Sequence, residues 1–142
     1  MFRLKDMDAK FAVHWKSGSL KYSGSKSLAE GGTAKLSTCM DTNLHRVVVY
    51  KTLHDHLRES DIETARFVRE ARVTANIQHP GAVPLYELGR DRQGNLFFTM
   101  KKVEGRDLRD IILALKDGDR ETKEKFPLPR LIDVLIQVSN CI

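Results

Sequence analysis

The sequence predicts an α+β fold: an antiparallel sheet of about five strands carrying one long helix, followed by two further helices. Three observations carry that expectation. Between residues 27 and 51 the pattern is β-like, with two short apolar stretches flanking the polar turn Met40-Asp41-Thr42-Asn43. Ser60-Asp61-Ile62-Glu63 then places capping-box residues ahead of a run with helical apolar period. Two more β-like runs, 83–88 and 96–100, enclose Gly89-Arg90-Asp91-Arg92-Gln93-Gly94-Asn95, which is turn chemistry throughout.

Taken in order, residues 1–26 have weak periodicity, with Ser17-Gly18-Ser19 and Ser23-Gly24-Ser25 as loop signals. Phe11, Val13 and Trp15 alternate, as in a short strand or a packed extension. The helix that opens at Ser60 has an apolar side of Ile62, Phe67 and Ala71, with Val68 and Ala75 on a neighbouring line. It is expected to end near Gln78-His79-Pro80-Gly81, because proline disfavours helical geometry in the residue before it. Gly105 breaks the strand pattern, and Asp107 can cap a helix running to about residue 115. Residues 116–125 read as a charged connector to Phe126-Pro127-Leu128-Pro129, whose last proline suits a first helical turn. Leu131, Val134, Leu135 and Val138 then recur on one helix face, and the stripe is still in phase at Cys141-Ile142 with no stop signal. The expectation is a chain cut from a longer polypeptide, whose uncovered stripe would pack onto a neighbouring copy, form a dimer through the C-terminal helix, or be disordered.

Composition narrows the function classes. The 142 residues suffice for one domain with a real core. No segment approaches the roughly 18 apolar residues that span a bilayer, and the N-terminus has no apolar stretch of signal-peptide type. Cys39 and Cys141 have no metal-ligand spacing and read as reduced thiols of a cytoplasmic protein. The five histidines suggest no metal site, and His79 before Pro80 reads as a structural turn residue. A net charge of +5 invites a nucleic-acid partner, but basic and acidic residues interleave, as in Arg66-Phe67-Val68-Arg69-Glu70-Ala71-Arg72. Solvated faces explain that pattern better, so no nucleic-acid binding is expected.

The chemistry concentrates elsewhere. Val47-Val48-Val49-Tyr50 is an apolar strand that ends on Lys51, and Glu70 follows nineteen residues later in the helix. A buried strand has little reason to end on a lysine unless the ammonium has a partner, and phosphate oxygens with one carboxylate would be such a set. Gly31-Gly32 precedes both. Glycine turn, strand lysine, helix glutamate is the order that protein kinases use to hold ATP.

From about residue 22 to 142 the chain resembles the N-terminal lobe, and the start of the helical lobe, of bacterial eukaryotic-like (Hanks-type) Ser/Thr protein kinases. The resemblance is densest from Arg66 through Ala71-Arg72 to His79-Pro80-Gly81-Ala82-Val83-Pro84-Leu85-Tyr86-Glu87-Leu88-Gly89, and continues in Phe97-Phe98-Thr99-Met100-Lys101-Lys102-Val103-Glu104-Gly105-Arg106. It implies a division into an extension (1–21), an ATP-gripping N-lobe (22–103) and the hinge exit with a truncated helical lobe (104–142).

The resemblance also implies roles. Lys51 would contact the α- and β-phosphates and Glu70 would orient it; the plainer readings are a strand-edge lysine reaching water and one solvated charge among arginines. In the glycine hexad Ala29-Glu30-Gly31-Gly32-Thr33-Ala34 only the middle glycine of the family pattern G-x-G-x-x-G remains, as Gly31, with alanine at the outer positions. Gly31 and Gly32 would cover phosphate, or form a plain tight turn. Leu36 and Val49 would lie against the adenine ring and Met100 at the back of its pocket. Lys101, Lys102 and Val103 would be the hinge, offering main-chain groups to the adenine edge. Asp107 would meet the ribose hydroxyls, serve as a helix cap, or do both.

Nothing in the chain resembles H-R-D-x-x-x-x-N or D-F-G, which supply the catalytic aspartate and the Mg²⁺ ligands. ATP is therefore the expected ligand, Mg²⁺ only together with that missing lobe, and a protein Ser/Thr the substrate of the longer enzyme. Without that lobe the chain should not transfer phosphoryl groups. The competing reading is a pseudokinase or single-lobe module that acts by binding a partner protein.

Overall fold

The computed structural model describes residues 16–141. The alternating Phe11, Val13 and Trp15, and most of the 1–21 extension, lie outside the described residues, as does Ile142. The elements are β1 (Tyr22–Glu30), β2 (Ala34–Asp41), β3 (Arg46–Leu53), α1 (Asp61–Asn76), β4 (Leu85–Arg90), β5 (Leu96–Lys101), α2 (Leu108–Lys116), α3 (Arg120–Lys125) and α4 (Leu128–Ser139), with single 3₁₀ turns at Gly18–Lys21 and Asp55–Leu57. They group into two compact units: the chain to Asn76 with Val83–Lys102, and Ile77–Ala82 with the residues from Val103 onward.

The first unit is one five-stranded sheet in the order β1-β2-β3-β5-β4, every neighbouring pair antiparallel. This is the α+β architecture of a protein-kinase-like N-lobe. Strand boundaries move by about two residues from the expected ones, for local reasons. The β2–β3 turn starts after Asp41 rather than at Met40, because the Asp41 carboxylate accepts from Asn43 N (3.1 Å) and Leu44 N (3.2 Å), which leaves its own backbone in register with Arg46. β4 starts after Pro84, which has no N–H to donate, and runs on through Gly89, where a Cβ would meet the Phe97 ring at 3.1 Å. Ser23-Gly24-Ser25, expected as a loop, lies inside β1; Gly24 at φ +66° accompanies a register shift between Ser23 and Lys26.

α1 covers one face of the sheet. Ser60 Oγ accepts from Glu63 N (3.4 Å), so the capping side chain acts as expected, while the Glu63 carboxylate pairs with Arg66 (2.8 Å) instead of returning to the cap. Phe67 and Ala71 are the buried residues of the helix, and with Leu53 and Phe98 they form the core, walled by Leu85, Leu88, Leu96 and Met100. Ile62 stays 67% exposed, so the buried stripe is narrower than the periodicity suggests. The helix ends at Asn76, two residues before the expected end.

The opposite face holds a second cluster. Tyr50 and Phe97 stack at 4.6 Å, and Tyr22 meets both edge-on at 5.5 and 5.8 Å. The Tyr22 hydroxyl donates to Glu87 Oε2 (2.5 Å) and lies 3.1 Å from Thr99 Oγ1. Burial, then the Glu87 carboxylate, push the Tyr22 phenol well above its ordinary range, which keeps it a donor. Lys21 closes on Glu87 at 2.7 Å.

In the second unit Asp107 caps α2, its side chain accepting from Asp110 N at 2.7 Å. Three helices follow the sheet rather than two, since α3 occupies part of the expected charged connector. Asp119 caps α3 through Thr122 N (2.9 Å), and Arg106 reaches Thr122 Oγ1 (2.8 Å) and Asp110 O (3.0 Å), which satisfies a buried hydroxyl in a helix of wholly polar sequence. α4 takes Pro129 in its first turn and stops at Ser139, short of the expected 142. Its Ile132, Leu135, Ile136 and Val138 are exposed, while Leu131 and Val134 are half-buried.

Candidate functional site

The register of the sheet collects most of the expected site residues. Leu36, Lys51 and Phe98 are direct partners across β2, β3 and β5, and Thr38, Val49 and Met100 form the next rung but one. Side chains two apart on a strand share a face, so Leu36, Val49, Lys51 and Met100 stand together on the face that α1 covers. Val49 is buried, and Leu36 and Met100 are half-buried.

Lys51 is drawn towards the helix. Its Nζ lies 2.5 Å from Glu70 Oε1 and 5.2 Å from the centre of the Phe98 ring. Phe67 and Ala71 fix which side of α1 faces the sheet, and Glu70 sits beside them on the rim of that buried stripe. The Lys51 side chain is 17% exposed and that of Glu70 51%, so the lysine is the more buried partner of the pair. An ammonium has three donors, and the carboxylate contact uses one; the geometry can present a fixed positive charge to an anionic ligand.

Gly31 and Gly32 form the β1–β2 turn, at the end of the sheet where Ala34 pairs with Leu53. Gly31 N donates to Ala34 O at 2.9 Å. Neither glycine has a positive φ; a Cβ on Gly31 would meet only Ala34 O at 3.7 Å, and one on Gly32 nothing within 4 Å. The fold itself therefore does not demand glycine at either position. Sequence reasoning missed a third participant. His54 Nε2 lies 2.7 Å from Gly31 O, and His54 N donates to Thr33 O at 3.1 Å. The signal available was a histidine placed just past a strand lysine.

Lys102 follows β5 directly. Val103 and Asp107 belong to the second unit, Val103 exposed and Asp107 at the N-cap of α2. Among the described residues no group of three His, Cys, Asp or Glu side chains is arranged to hold a metal ion, and no helix is long and apolar enough to cross a membrane.

Comparison with known proteins gives one consistent result. The chain is 44% identical over 79 residues to the DNA damage-responsive serine/threonine-protein kinase RqkA of Deinococcus radiodurans, covering 55% of this chain and 12% of the relative. It is 33% identical over 97 residues to a serine/threonine-protein kinase of Myxococcus xanthus (68% of this chain, 18% of the relative). A probable serine/threonine-protein kinase of Streptomyces coelicolor is 36% identical over 88 residues (60% and 13%). The chain thus spans less than a fifth of the length of these curated relatives. No family model matches it.

Proposed function

We propose that this chain, which belongs with the bacterial serine/threonine-protein kinases and has the fold of their N-terminal lobe, is an ATP-gripping lobe. The observation that carries the proposal is the Lys51–Glu70 pair, held on the same sheet face as Leu36, Val49 and Met100. An apolar wall beside a fixed ammonium suits a ligand with a flat base at one end and phosphate at the other. Lys51 would neutralise the α- and β-phosphates, and Glu70 would keep its ammonium from swinging to solvent. Leu36 and Val49 would lie on the adenine with Met100 behind it. The main chain at Lys102 and Val103 would take the base edge, and Asp107 the ribose, alongside its capping bond.

Phosphoryl transfer to a protein Ser/Thr would belong to a longer enzyme that adds the H-R-D and D-F-G segments. Mg²⁺ would be held there too, since among the described residues no cluster of His, Cys, Asp or Glu side chains fits it. ATP as ligand and free thiols at Cys39 and Cys141 suit a cytoplasmic protein. The exposed side of α4 would pair with a second copy when nothing else covers it.

The test is titration of the chain with a fluorescent ADP analogue. Weak binding that hardly changes with added Mg²⁺, and that Lys51→Met abolishes without unfolding the chain, is expected. In the longer protein Lys51→Met should abolish phosphorylation; full activity of that variant would remove Lys51 from its role. Ala29 and Ala34, in place of the outer glycines, favour a second reading, a pseudokinase or single-lobe module that binds a partner protein. Nucleotide binding at Lys51 with no phosphorylation by the longer protein would select it.

A further inference from the structure

We infer that His54 is a positioning residue that sets the orientation of the Gly31–Gly32 peptide and so aims the Gly32 N–H toward the face that bears Lys51. The inference rests on the ATP-gripping reading of that face. The Gly31 carbonyl can only accept, so the 2.7 Å contact requires a hydrogen on His54 Nε2. The neutral Nε2–H tautomer and the imidazolium both supply one; the Nδ1–H tautomer does not. The backbone N–H of the same residue donates to Thr33 O at 3.1 Å, so one residue clamps two carbonyls of the turn.

Orientation follows from planarity. Every described peptide bond is trans, so the Gly31 C=O and the Gly32 N–H point in opposite directions from one plane. Two consecutive glycines offer the least steric resistance to rotation of that plane, and a Cβ would meet only Ala34 O at 3.7 Å on Gly31 and nothing within 4 Å on Gly32. Something else must choose its direction. Along β3 the side chains alternate, with Lys51 and Leu53 on the α1 face. His54 continues the alternation in extended conformation (φ −59°, ψ 148°) and falls on the face of Thr52 instead. Holding the Gly31 carbonyl toward that face turns the Gly32 N–H toward the Lys51 face, where a phosphate would need a donor.

The test uses the whole chain, with His54→Ala and His54→Gln, the second of which keeps a donor of similar reach. Long-range ¹H–¹⁵N spectra should show wild-type His54 with its hydrogen on Nε2. The residual dipolar coupling of the Gly32 N–H, which reads the direction of that bond, should change in His54→Ala and return toward wild type in His54→Gln. Affinity for the fluorescent ADP analogue should fall about 3- to 10-fold in His54→Ala, the worth of one net hydrogen bond, and recover in His54→Gln. An Nδ1–H tautomer in the wild type, or an unchanged Gly32 coupling in His54→Ala, overturns the latch. Wild-type chain that takes up no nucleotide overturns the ATP-gripping reading, and the tautomer and coupling results then still decide the latch.

Discussion

Removing Glu70 should cost the fold little and the nucleotide much, and that contrast distinguishes a functional ion pair from a structural one. The contact is 2.5 Å, which in bulk water corresponds to about 1.7 kcal/mol of attraction between unit charges. Half of the Glu70 side chain faces solvent, so screening and the ordering of two long side chains should reduce the net coupling to about 0.2–1 kcal/mol. The assay is a double-mutant cycle in urea with Lys51→Met, Glu70→Gln and both together. The coupling should fall further in 1 M salt, where the screening length is about 3 Å. Over the same four proteins, affinity for the ADP analogue should drop in Glu70→Gln with the midpoint nearly unmoved. A coupling above about 3 kcal/mol would mark a buried structural pair. Unchanged nucleotide affinity in Glu70→Gln would make the carboxylate a bystander, and either result refutes the reasoning.

Phe67→Ala should destabilise the first unit by about 3–5 kcal/mol in urea unfolding, because the ring is buried and lies 4.9 Å from Phe98; a loss below 1 kcal/mol would place it outside the core. Burial, then Asp41, raise the Cys39 thiol to about 11, so iodoacetamide at pH 8 should alkylate Cys141 while Cys39 reacts only after unfolding, as peptide mapping would read. Asp119 is held below its ordinary pKa first by the Thr122 hydrogen bonds; its cap should persist above the unfolded value of 3.8 and be lost as pH falls through the lower folded value. The Thr122 amide shift reports this, and Asp119→Asn, which caps without ionising, should flatten the profile.

What the sequence makes legible is local or periodic. The apolar run before Lys51, the Ser60 cap and the turn chemistry around Gly94 each have their cause within a few residues, and β2 to β5 and α1 follow from such signals with shifted ends, whereas β1 runs through Ser23-Gly24-Ser25, which reads as a loop. The fragments that escape reading have distant causes. α3 is Arg120-Glu121-Thr122-Lys123-Glu124-Lys125, without one apolar residue to give a period; Arg106, sixteen residues upstream, meets its buried hydroxyl. Tyr22 and Glu87 meet across 65 residues, and neither is marked in its own neighbourhood. The candidate site divides the same way. Lys51 and Glu70 were visible through spacing, whereas His54 acts on a turn 23 residues earlier, and only the register of β2 with β3 brings the two together.

The irregularity of β1 has a consequence beyond this one molecule. Among the described residues β1 is an edge strand, nearly all of it exposed, including Leu28 at 50%, and its outer backbone would serve as a template for another chain. Two register shifts, one at Gly24 and one between Ser27 and Ala29, break the even row of donors and acceptors that such templating requires. Lys26 adds a charge midway along the same edge. A variant with Gly24→Val and Lys26→Val would straighten and neutralise this border, and the protein should then leave solution as β-rich aggregate at concentrations where the wild type stays clear.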